Sequence, residues 1–274
     1  MIQDIFPHRL WNEYEPEAKA DESSLVICFR EERILLGRNG FPCLREFPEA
    51  DPDTMTYLFR MDQDKKYFWL EEEPTEIPEG YSFRSLRELR TDPEVKRHRV
   101  FAAFTALQLV NWYRNNRYCG RCGQRTAHDR QERAIRCACG HLIYPRIVPA
   151  VIVGVIRENQ LLVTKYRRGF APFALVAGFT EIGETLEETV IREVREETGL
   201  RVKNIRYYKS QPWGMVDDLL AGFFCDVDGD PTITMDEKEL KVAEWRAREQ
   251  IELQPDDYSL TNEMMKRFKE GKPC

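Results

Sequence analysis

The sequence predicts an α+β protein made of three consecutive parts. Residues 24–84 contain short apolar and aromatic runs separated by Asp, Pro and Gly clusters, a pattern typical of a small antiparallel sheet. Residues 94–116 place apolar side chains every three or four positions, which predicts a long helix. After Pro145, strand-like and helix-like segments alternate. We therefore divide the chain into an antiparallel β-rich N-terminal domain that ends in a long helix (1–116), a cysteine-rich ribbon (117–144) and a mixed C-terminal domain (145–274).

Composition limits the classes of protein that the chain can belong to. With 274 residues and 42% hydrophobic side chains, it can bury two cores and does not resemble a disordered chain. Its net charge of −6, from 41 basic and 47 acidic residues, argues against general nucleic-acid affinity but permits a local basic patch. The longest apolar run, 147–156, is well short of the roughly 20 residues that cross a bilayer. We expect no membrane partner and a cytoplasmic location, since the first ten residues also lack the pattern of a signal peptide.

The N-terminal domain has clear element signals. The runs SLVICF, TYLFRM and KYFWL predict strands, and SLRELR predicts a short helix. The long helix is expected to carry Pro93 in its first turn, where proline is tolerated, and to end near Arg117. Towards the C-terminus, IVPAVIVGVI and QLLVTKY predict strands, and SLTNEMMKRFKEG predicts a closing helix.

The eight cysteines fall into two groups. Cys28, Cys43, Cys225 and Cys274 are isolated and are expected to be small core or surface residues. The others crowd into 21 residues: Cys119, Cys122, Cys137 and Cys139.

This cysteine cluster predicts a structural zinc site. Cys119 and Cys122 have the two-residue gap and the glycines of a zinc knuckle, which presents two thiolates to one tetrahedral ion. Cys137 and Cys139 are separated by one residue only, so the second knuckle is distorted or a histidine, His141 or His128, replaces one thiolate. Four protein ligands would leave no open position for chemistry.

An acidic motif, GFTEIGETLEETVIREVREETGL, occupies residues 178–200. It predicts a helix from about Glu184 to Thr198, on which Glu193 and Glu197 share a face and Glu196 lies beside them. Crowded carboxylates repel each other unless a cation lies between them, and Mg²⁺ prefers such oxygen ligands. Arg192 is expected to pair with Glu184 and fix the preceding loop. The adjoining apolar face is expected to pack on a sheet through Val190, Ile191 and Val194.

The same segment resembles the Nudix box, in which glycine, glutamate, arginine and aliphatic residues have fixed spacing. The matching positions are Gly178, Glu184, Arg192, Glu193, Val194, Glu196, Glu197, Gly199 and Leu200. The resemblance implies a C-terminal Nudix α/β/α sandwich and hydrolysis of a nucleoside diphosphate linked to another group. It also implies metal binding by Glu193, Glu196 and Glu197.

The order of the parts, together with Ser210-Gln211-Pro212-Trp213 beyond the box, resembles the NADH pyrophosphatase family, also called NAD(+) diphosphatases. This resemblance implies cleavage of NAD(H) to nicotinamide mononucleotide and AMP, catalytic Mg²⁺ or Mn²⁺, structural Zn²⁺, a homodimer and, in some members, removal of NAD caps from RNA. It implies the four clustered cysteines as zinc ligands. Ala177, through its carbonyl, and Glu239 would complete the Mg²⁺ or Mn²⁺ site. The implied substrate contacts are Glu132, Tyr144, Phe179, Gln211, Pro212, Trp213 and Thr261.

Several alternatives remain open at this point. Either Glu196 or Glu197 could accept the proton of the attacking water. The substrate could be another nucleoside diphosphate derivative, such as ADP-ribose, or the chain could be a non-catalytic sensor with a nucleic-acid-binding ribbon. After Trp213 the chain reads GMVDD where the family has Pro-Phe-Pro-x-Ser, so we expect a flexible loop and a differently shaped pocket.

Overall fold

The computed structural model describes residues 1–168 and 172–274, which divide into two compact units. The N-terminal unit consists of residues 3–146 and 214–216. The C-terminal unit consists of residues 1–2, 147–213 and 217–274. Both contain helices and sheets, so the predicted α+β class is confirmed.

The N-terminal unit contains two small sheets and two helices before the ribbon. Its elements are β1 (Leu10–Trp11), β2 (Leu25–Ile27), β3 (Phe29–Arg30), β4 (Arg33–Gly37), β5 (Thr56–Met61), β6 (Lys65–Trp69), β7 (Tyr81–Ser85), α1 (Leu86–Thr91) and α2 (Arg97–Asn115), with single 3₁₀ turns at Leu44–Glu46 and Pro52–Thr54. One sheet has the order β1-β5-β6-β2 and the other β3-β4-β7. Within these two sheets the strand pairs are antiparallel except β2–β6, which is parallel.

The long helix α2 is confirmed, but its predicted start is wrong. The helix begins at Arg97, and Pro93 lies in the turn before it. The reason is local: the Asp92 carboxylate accepts the Glu94 N–H at 2.9 Å, which stabilises a turn where the helix was expected to begin. The apolar face of α2 is buried, as the spacing of Val100, Phe104 and Val110 predicts.

The ribbon is a minimal three-stranded sheet. Its strands are β8 (Ala127–His128), β9 (Ile135–Arg136) and β10 (Leu142–Ile143), in the order β10-β9-β8. It packs on the rest of its unit through polar contacts: the Tyr14 hydroxyl donates to the Asp129 carbonyl at 2.8 Å, and Arg133 donates to the Leu58 carbonyl at 2.7 Å. The ribbon is therefore part of the N-terminal unit.

The C-terminal unit is built on a mixed sheet of order β14-β15-β11-β12-β16, with β13 also paired to β11. Its elements are β11 (Val148–Arg157), β12 (Gln160–Tyr166), β13 (Val176–Phe179), α3 (Leu186–Thr198), β14 (Val202–Trp213), β15 (Asp218–Val227), β16 (Leu240–Ala247) and α4 (Leu260–Lys269), with a 3₁₀ turn at Arg248–Gln250. The central strand β11 runs parallel to β15 and antiparallel to β12 and β13.

Alternating side chains of β11 bury both faces of this sheet, which makes the unit a three-layer sandwich. Val151 and Val153 belong to a core cluster with Val190 and Val194 of α3. Ile152 points to the opposite face and belongs to a cluster with Met264 of α4. This is the period of two that a strand covered on both sides requires. The predicted packing of α3 is confirmed for its two valines and is wrong for Ile191, which is 45% exposed.

The segment SQPW is the end of the strand β14. Gln211, Pro212 and Trp213 pair with Leu220, Leu219 and Asp218 of β15. Because β14 is an edge strand of this sheet, a proline without an N–H is tolerated there. The four residues after Trp213 form the hairpin turn.

Gly214, in this turn, approaches backbone very closely. A Cβ on this glycine would lie 2.3 Å from the carbonyl oxygen of Phe104 in α2. Close approach therefore explains the glycine better than the flexibility that we expected. In the described part of the chain, no helix has the length and apolar character of a membrane span.

Candidate active site and zinc ribbon

Arg192 organises the loop before α3, as the motif predicts. Its guanidinium donates to both oxygens of Glu184, at 2.6 and 2.9 Å, and to the Phe179 carbonyl at 2.8 Å. These hydrogen bonds lower the pKa of Glu184 to about 2 and raise that of Arg192. The helix itself is capped by Thr185, whose hydroxyl accepts from the Glu188 N–H, and ends at Gly199 in the left-handed conformation.

Arg192 also contacts two of the acidic residues of the motif. One of its nitrogens lies 2.7 Å from Glu193 Oε1 and 3.1 Å from Glu196 Oε2. Glu193 is largely buried, whereas the Glu196 side chain is 61% exposed. Burial raises the pKa of Glu193, and Arg192 opposes that rise. Glu193 therefore lies inside the site, and Glu196 lies at its edge.

Gly178 provides the space that Glu193 occupies. A Cβ at this position would lie 1.9–2.3 Å from the carboxylate atoms of Glu193. Gly178 is in β13, and its partner in the sheet is Val151. The first glycine of the motif is thus required so that the carboxylate can lie directly on the strand backbone.

Glu197 is the most perturbed carboxyl group of the site. Its side chain is only 2% exposed, and its Oε2 atom has no hydrogen-bond partner within the described residues. Burial, followed by the charges of Glu193 and Glu239, raises its pKa to about 8, while the Tyr166 hydroxyl at 3.4 Å and the Ala177 backbone oppose the rise. Ionised Glu197 would be unfavourable here without a cation, because its carboxylate is buried, has no partner at Oε2 among the residues described and lies beside two other acids.

These residues fit a divalent cation with oxygen ligands. The charges of Glu193 and Glu239 raise the pKa of Glu197, and the charge of Glu239 also raises that of Glu193, so the three carboxylates lie close together. The missing Cβ of Gly178 leaves room for a carboxylate on the strand. Glu239 lies in the exposed turn that follows Asp236, and nothing in this short charged segment distinguishes it from an ordinary surface turn. The fit supports the implied Mg²⁺ or Mn²⁺ site. These carboxylate oxygens are less closely grouped than the ribbon thiols described below.

Tyr166 is a residue of the site that the sequence did not predict. This residue ends β12, is largely buried, and directs its hydroxyl towards Glu197. Burial and the nearby carboxylates raise its pKa, so it remains a neutral hydrogen-bond donor. A tyrosine at the end of an apolar strand carries no motif, and only the pairing of the strands places it here.

The expected substrate contacts of the C-terminal unit differ in exposure. Phe179 is 53% exposed beside Gly178, so its ring is available for stacking. Pro212 is exposed, and Trp213 and Thr261 are half-buried. Gln211 is fully buried: its amide nitrogen donates to the Tyr258 carbonyl at 2.7 Å, and its oxygen accepts the Leu260 N–H at 2.6 Å. Its side chain thus anchors the start of α4, and a direct substrate contact by this residue stays a prediction.

In the N-terminal unit, the structure brings together the two expected contacts Glu132 and Tyr144. The Tyr144 hydroxyl donates to Glu132 Oε1 at 2.8 Å, and this hydrogen bond raises the pKa of Tyr144. The tyrosine ring is 54% exposed. The pair presents an aromatic face and a carboxylate at the end of the ribbon.

The four clustered cysteines converge as a zinc site requires. Their Sγ atoms all lie within 4.8 Å of one another, and among the described residues this is the only such group of three or more potential ligands. Two of the sulfur pairs are separated by 3.8 Å (Cys119 and Cys139) and 3.4 Å (Cys122 and Cys137). Tetrahedral coordination with Zn–S bonds of about 2.3 Å places sulfurs about 3.8 Å apart, so the group fits Zn²⁺.

The structure favours Cys139 over a histidine as the fourth zinc ligand. His141 Nδ1 lies 3.4 Å from Cys119 Sγ, and this hydrogen bond is the main reason that the pKa of Cys119 falls to about 6. His141 is therefore placed to support a thiolate ligand from outside the set. His128 instead packs against the Tyr113 ring, with 4.7 Å between ring centroids.

Comparison with known proteins agrees with this architecture. The profile of the NUDIX domain matches residues 146–268, and that of the NADH pyrophosphatase zinc ribbon domain matches residues 114–144. An NAD-capped RNA hydrolase NudC of Actinobacillus succinogenes is 40% identical over 187 residues, which cover 65% of this chain and 68% of the relative. The chain belongs to the NADH pyrophosphatase family of Nudix hydrolases.

Further similar proteins match over shorter spans. The NAD-capped RNA hydrolase NudC of Klebsiella pneumoniae (strain 342) is 41% identical over 154 residues, covering 54% of this chain and 58% of the relative. A solved NUDIX hydrolase from Nitrosomonas europaea has a TM-score of 0.50 and 20% identity, and covers 58% of this chain and 95% of that one. That likeness shows the Nudix fold, and it agrees with the predicted sandwich.

Proposed function

We propose that this chain hydrolyses the pyrophosphate of NAD(H), giving nicotinamide mononucleotide (NMN or NMNH) and AMP, with Mg²⁺ or Mn²⁺ as the catalytic cation. The observation that carries the proposal is the buried Glu197, whose unused oxygen lies among acidic neighbours within a complete Nudix box. The ribbon that accompanies this box is the one characteristic of the NADH pyrophosphatase family.

The acidic residues would hold the cation in a fixed position. Glu193, Glu197 and Glu239 supply carboxylate oxygens, and the Ala177 carbonyl adds a neutral one. When bound, the cation neutralises pyrophosphate oxygens and makes a bound water more acidic. Arg192 keeps Glu193 against Gly178 and fixes the loop that leads into the helix.

The remaining chemistry is a proton transfer and one bond cleavage. Water attacks a phosphorus of the pyrophosphate, and a carboxylate, Glu196 or Glu197, accepts its proton. The bridging P–O bond breaks, and the leaving phosphate takes the bonding electron pair. Tyr144 and Phe179 offer exposed ring faces on which a base can stack, with Glu132, Pro212, Trp213 and Thr261 as further contacts.

The names of the relatives extend the proposal to a second substrate. Several are NAD-capped RNA hydrolases, so we propose that the chain also removes NAD caps from RNA, by the same cleavage. The family resemblance further supports a structural Zn²⁺ in the ribbon, a homodimer and a cytoplasmic location.

A substrate panel tests the proposal. We expect kcat/KM for NADH, NAD and NAD-capped RNA to exceed that for ADP-ribose in the presence of Mg²⁺ or Mn²⁺, with NMN or NMNH identified by mass. Glu197→Gln should abolish turnover while zinc content stays unchanged. If no reaction releases NMN or NMNH but ADP-ribose is cleaved, the chain is a Nudix hydrolase of another nucleoside diphosphate derivative. If nothing is cleaved, the sensor alternative stands.

A further inference from the structure

The ribbon is far more basic than the rest of the chain. The ribbon (117–144) contains six arginines, no lysine and only two acidic residues, in a protein whose net charge is −6, and Arg114 and Arg146 flank it. Zinc coordination by four thiolates would offset part of this positive charge but not all of it. A local basic surface on an acidic protein indicates an anionic partner.

Contacts within the protein account for four of these ribbon and flanking arginines. Arg117 pairs with Glu71, and Arg136 pairs with the buried Asp129. Two others support the packing of their unit: Arg133 donates to a backbone carbonyl and lies over Tyr14, and Arg114 donates to the Phe29 carbonyl. These side chains need no ligand to explain them.

Folding does not account for Arg121 and Arg125. Both are exposed, and neither forms an ion pair with any residue in the described parts of the chain. They belong to the hairpin 117–126, which carries the first zinc knuckle. Tyr118 lies directly opposite Arg125 in an antiparallel bridge and is 66% exposed. We call Tyr118, Arg121 and Arg125 the knuckle surface.

The hairpin holds the knuckle surface in a fixed arrangement. Its backbone is closed by three hydrogen bonds of 2.8–3.0 Å, from Cys119 to Gln124, from Gly123 to Cys119 and from Thr126 to Arg117. The Arg121 backbone also hydrogen-bonds Cys119, one of the cysteines of the zinc site. Arg121 therefore lies in the turn between two zinc ligands, and its position depends on the knuckle. A preorganised surface loses less entropy on binding than a mobile one.

The chemistry of the knuckle surface fits single-stranded RNA. Arginine binds phosphate through two parallel N–H groups and stacks on bases, which lysine does less well. An exposed tyrosine offers a face on which an unpaired base can stack. A duplex would not present such a base. An acidic peptide would use the charges but would have no need of the ring.

We propose that the knuckle surface binds the RNA chain that follows the NAD cap, with Tyr118 stacking on a base and Arg121 and Arg125 contacting phosphates. This inference rests on the proposed removal of NAD caps, and it adds a binding site outside the Nudix box. It gives a role to exposed arginines on a zinc knuckle that folding alone does not require to be basic.

Binding of uncapped RNA tests the surface independently of catalysis. The probe is a fluorescently labelled single-stranded 12-nucleotide RNA without a cap, measured by anisotropy between 50 and 200 mM salt. We expect Tyr118→Ala to weaken binding about tenfold, and Tyr118→Phe to bind like the wild type because it keeps the ring. The double variant Arg121→Ala, Arg125→Ala should lower the slope of log affinity against log salt by about 1.4.

A matched control separates this surface from general charge. Arg45 and Arg87 are exposed outside the ribbon and form no ion pair with the described residues, so Arg45→Ala, Arg87→Ala removes the same charge elsewhere. It should bind RNA like the wild type. Equal losses in the two double variants would overturn the proposal, as would equal binding of a duplex of the same length or equal competition by polyglutamate.

Kinetics then connect the surface to the proposed function. With zinc content verified, the knuckle variants should lower kcat/KM for NAD-capped RNA about tenfold and leave that for NAD unchanged. Equal kcat/KM for capped RNA in wild type and variants would refute the role of this surface even if NAD is hydrolysed. If NAD itself is not hydrolysed, the proposed function fails, and the uncapped RNA measurement still decides whether the surface binds RNA.

Discussion

Gly178 and Glu193 show how a single missing Cβ can determine the geometry of a metal site. The carboxylate lies where the side chain of any larger residue at 178 would begin. The conflicting atoms are at the end of a flexible side chain, so a substitution would move the carboxylate and would leave the sheet intact.

We therefore expect Gly178→Ala to reduce cation-dependent turnover by about 10- to 100-fold with little change in the unfolding midpoint. Raising the concentration of Mg²⁺ should restore part of the rate, since the carboxylate is displaced and not removed. Gly120→Ala is the control, because a Cβ there meets open space and its φ is not positive. Full activity of Gly178→Ala would show that Glu193 does not need its observed position.

Glu197 makes the stability of the protein depend on pH when no catalytic cation is added. Its pKa is about 8 in the folded state, against an ordinary value of 4.5, so the folded state retains a proton that the unfolded state has lost. The free energy of unfolding should thus fall as pH rises from about 4.5 to 8, by at most about 1.4 kcal/mol per pH unit, and then level off.

Urea unfolding of the zinc-loaded protein between pH 5 and 9 measures this dependence. Glu197→Gln should flatten the curve, because it removes the titrating group while keeping its size. Added Mg²⁺ should stabilise the wild type increasingly as pH rises, because cation binding requires the ionised carboxylate. A wild-type curve with the same slope as that of Glu197→Gln would contradict the burial of an acid at this position.

At the scale of elements, the edge strand β14 and the helix α4 are joined by one buried side chain. The Gln211 amide hydrogen-bonds the Tyr258 carbonyl and the Leu260 N–H, and thereby caps the start of α4. These contacts connect distant parts of the sequence. Composition alone could not reveal them, and the family motif predicts a substrate contact for the same residue.

Gln211→Ala should destabilise the protein by about 2–4 kcal/mol, because it leaves two buried backbone groups without partners. Lys209→Ala is the matched control on the same strand: it removes a partly exposed ion pair with Glu263 and should cost less than about 1 kcal/mol. Urea unfolding and KM for NAD distinguish the two roles of Gln211. A raised KM with unchanged stability would favour direct contact with the substrate.

The sequence predicted those elements that depend on contacts between residues close together along the chain. The spacing of glutamates, the capping residues and Gly199 define α3, and the pairing of Arg192 with Glu184 follows from their separation along the chain. Tyr166, the strand at SQPW and the role of Gly214 depend on pairing between segments that are distant in sequence. The start of α2 was misplaced for a different reason, because proline at a first helical turn and proline in a tight turn look alike.

We expect the zinc site to stabilise more of the molecule than the ribbon alone. The ribbon packs on the N-terminal sheets through Tyr14 and Arg133, and its three strands are only two residues long. Such short strands cannot form a stable sheet by themselves. The N-terminal unit as a whole should therefore depend on bound Zn²⁺.

Cys139→Ser should lose zinc and lower the thermal midpoint of the N-terminal unit, whereas His141→Ala should keep zinc and lose only part of its affinity, about 10- to 100-fold. Zinc content by mass spectrometry and tryptophan fluorescence follow the two effects, since Trp69 and Trp112 belong to this unit. Retention of zinc by the serine variant together with loss in the alanine variant would identify His141 as a ligand.

The chain passes between its two units four times, after residues 2, 146, 213 and 216. Met1 lies in the same buried cluster as Met264 and Phe268 of α4, and the Ile2 N–H donates to the Tyr258 carbonyl. During synthesis, residues 1–2 emerge long before the strands and helix that bury them. The C-terminal unit can therefore complete its core only after α4 has left the ribosome. Until then, the N-terminal unit must fold while residues 1–2 stay accessible.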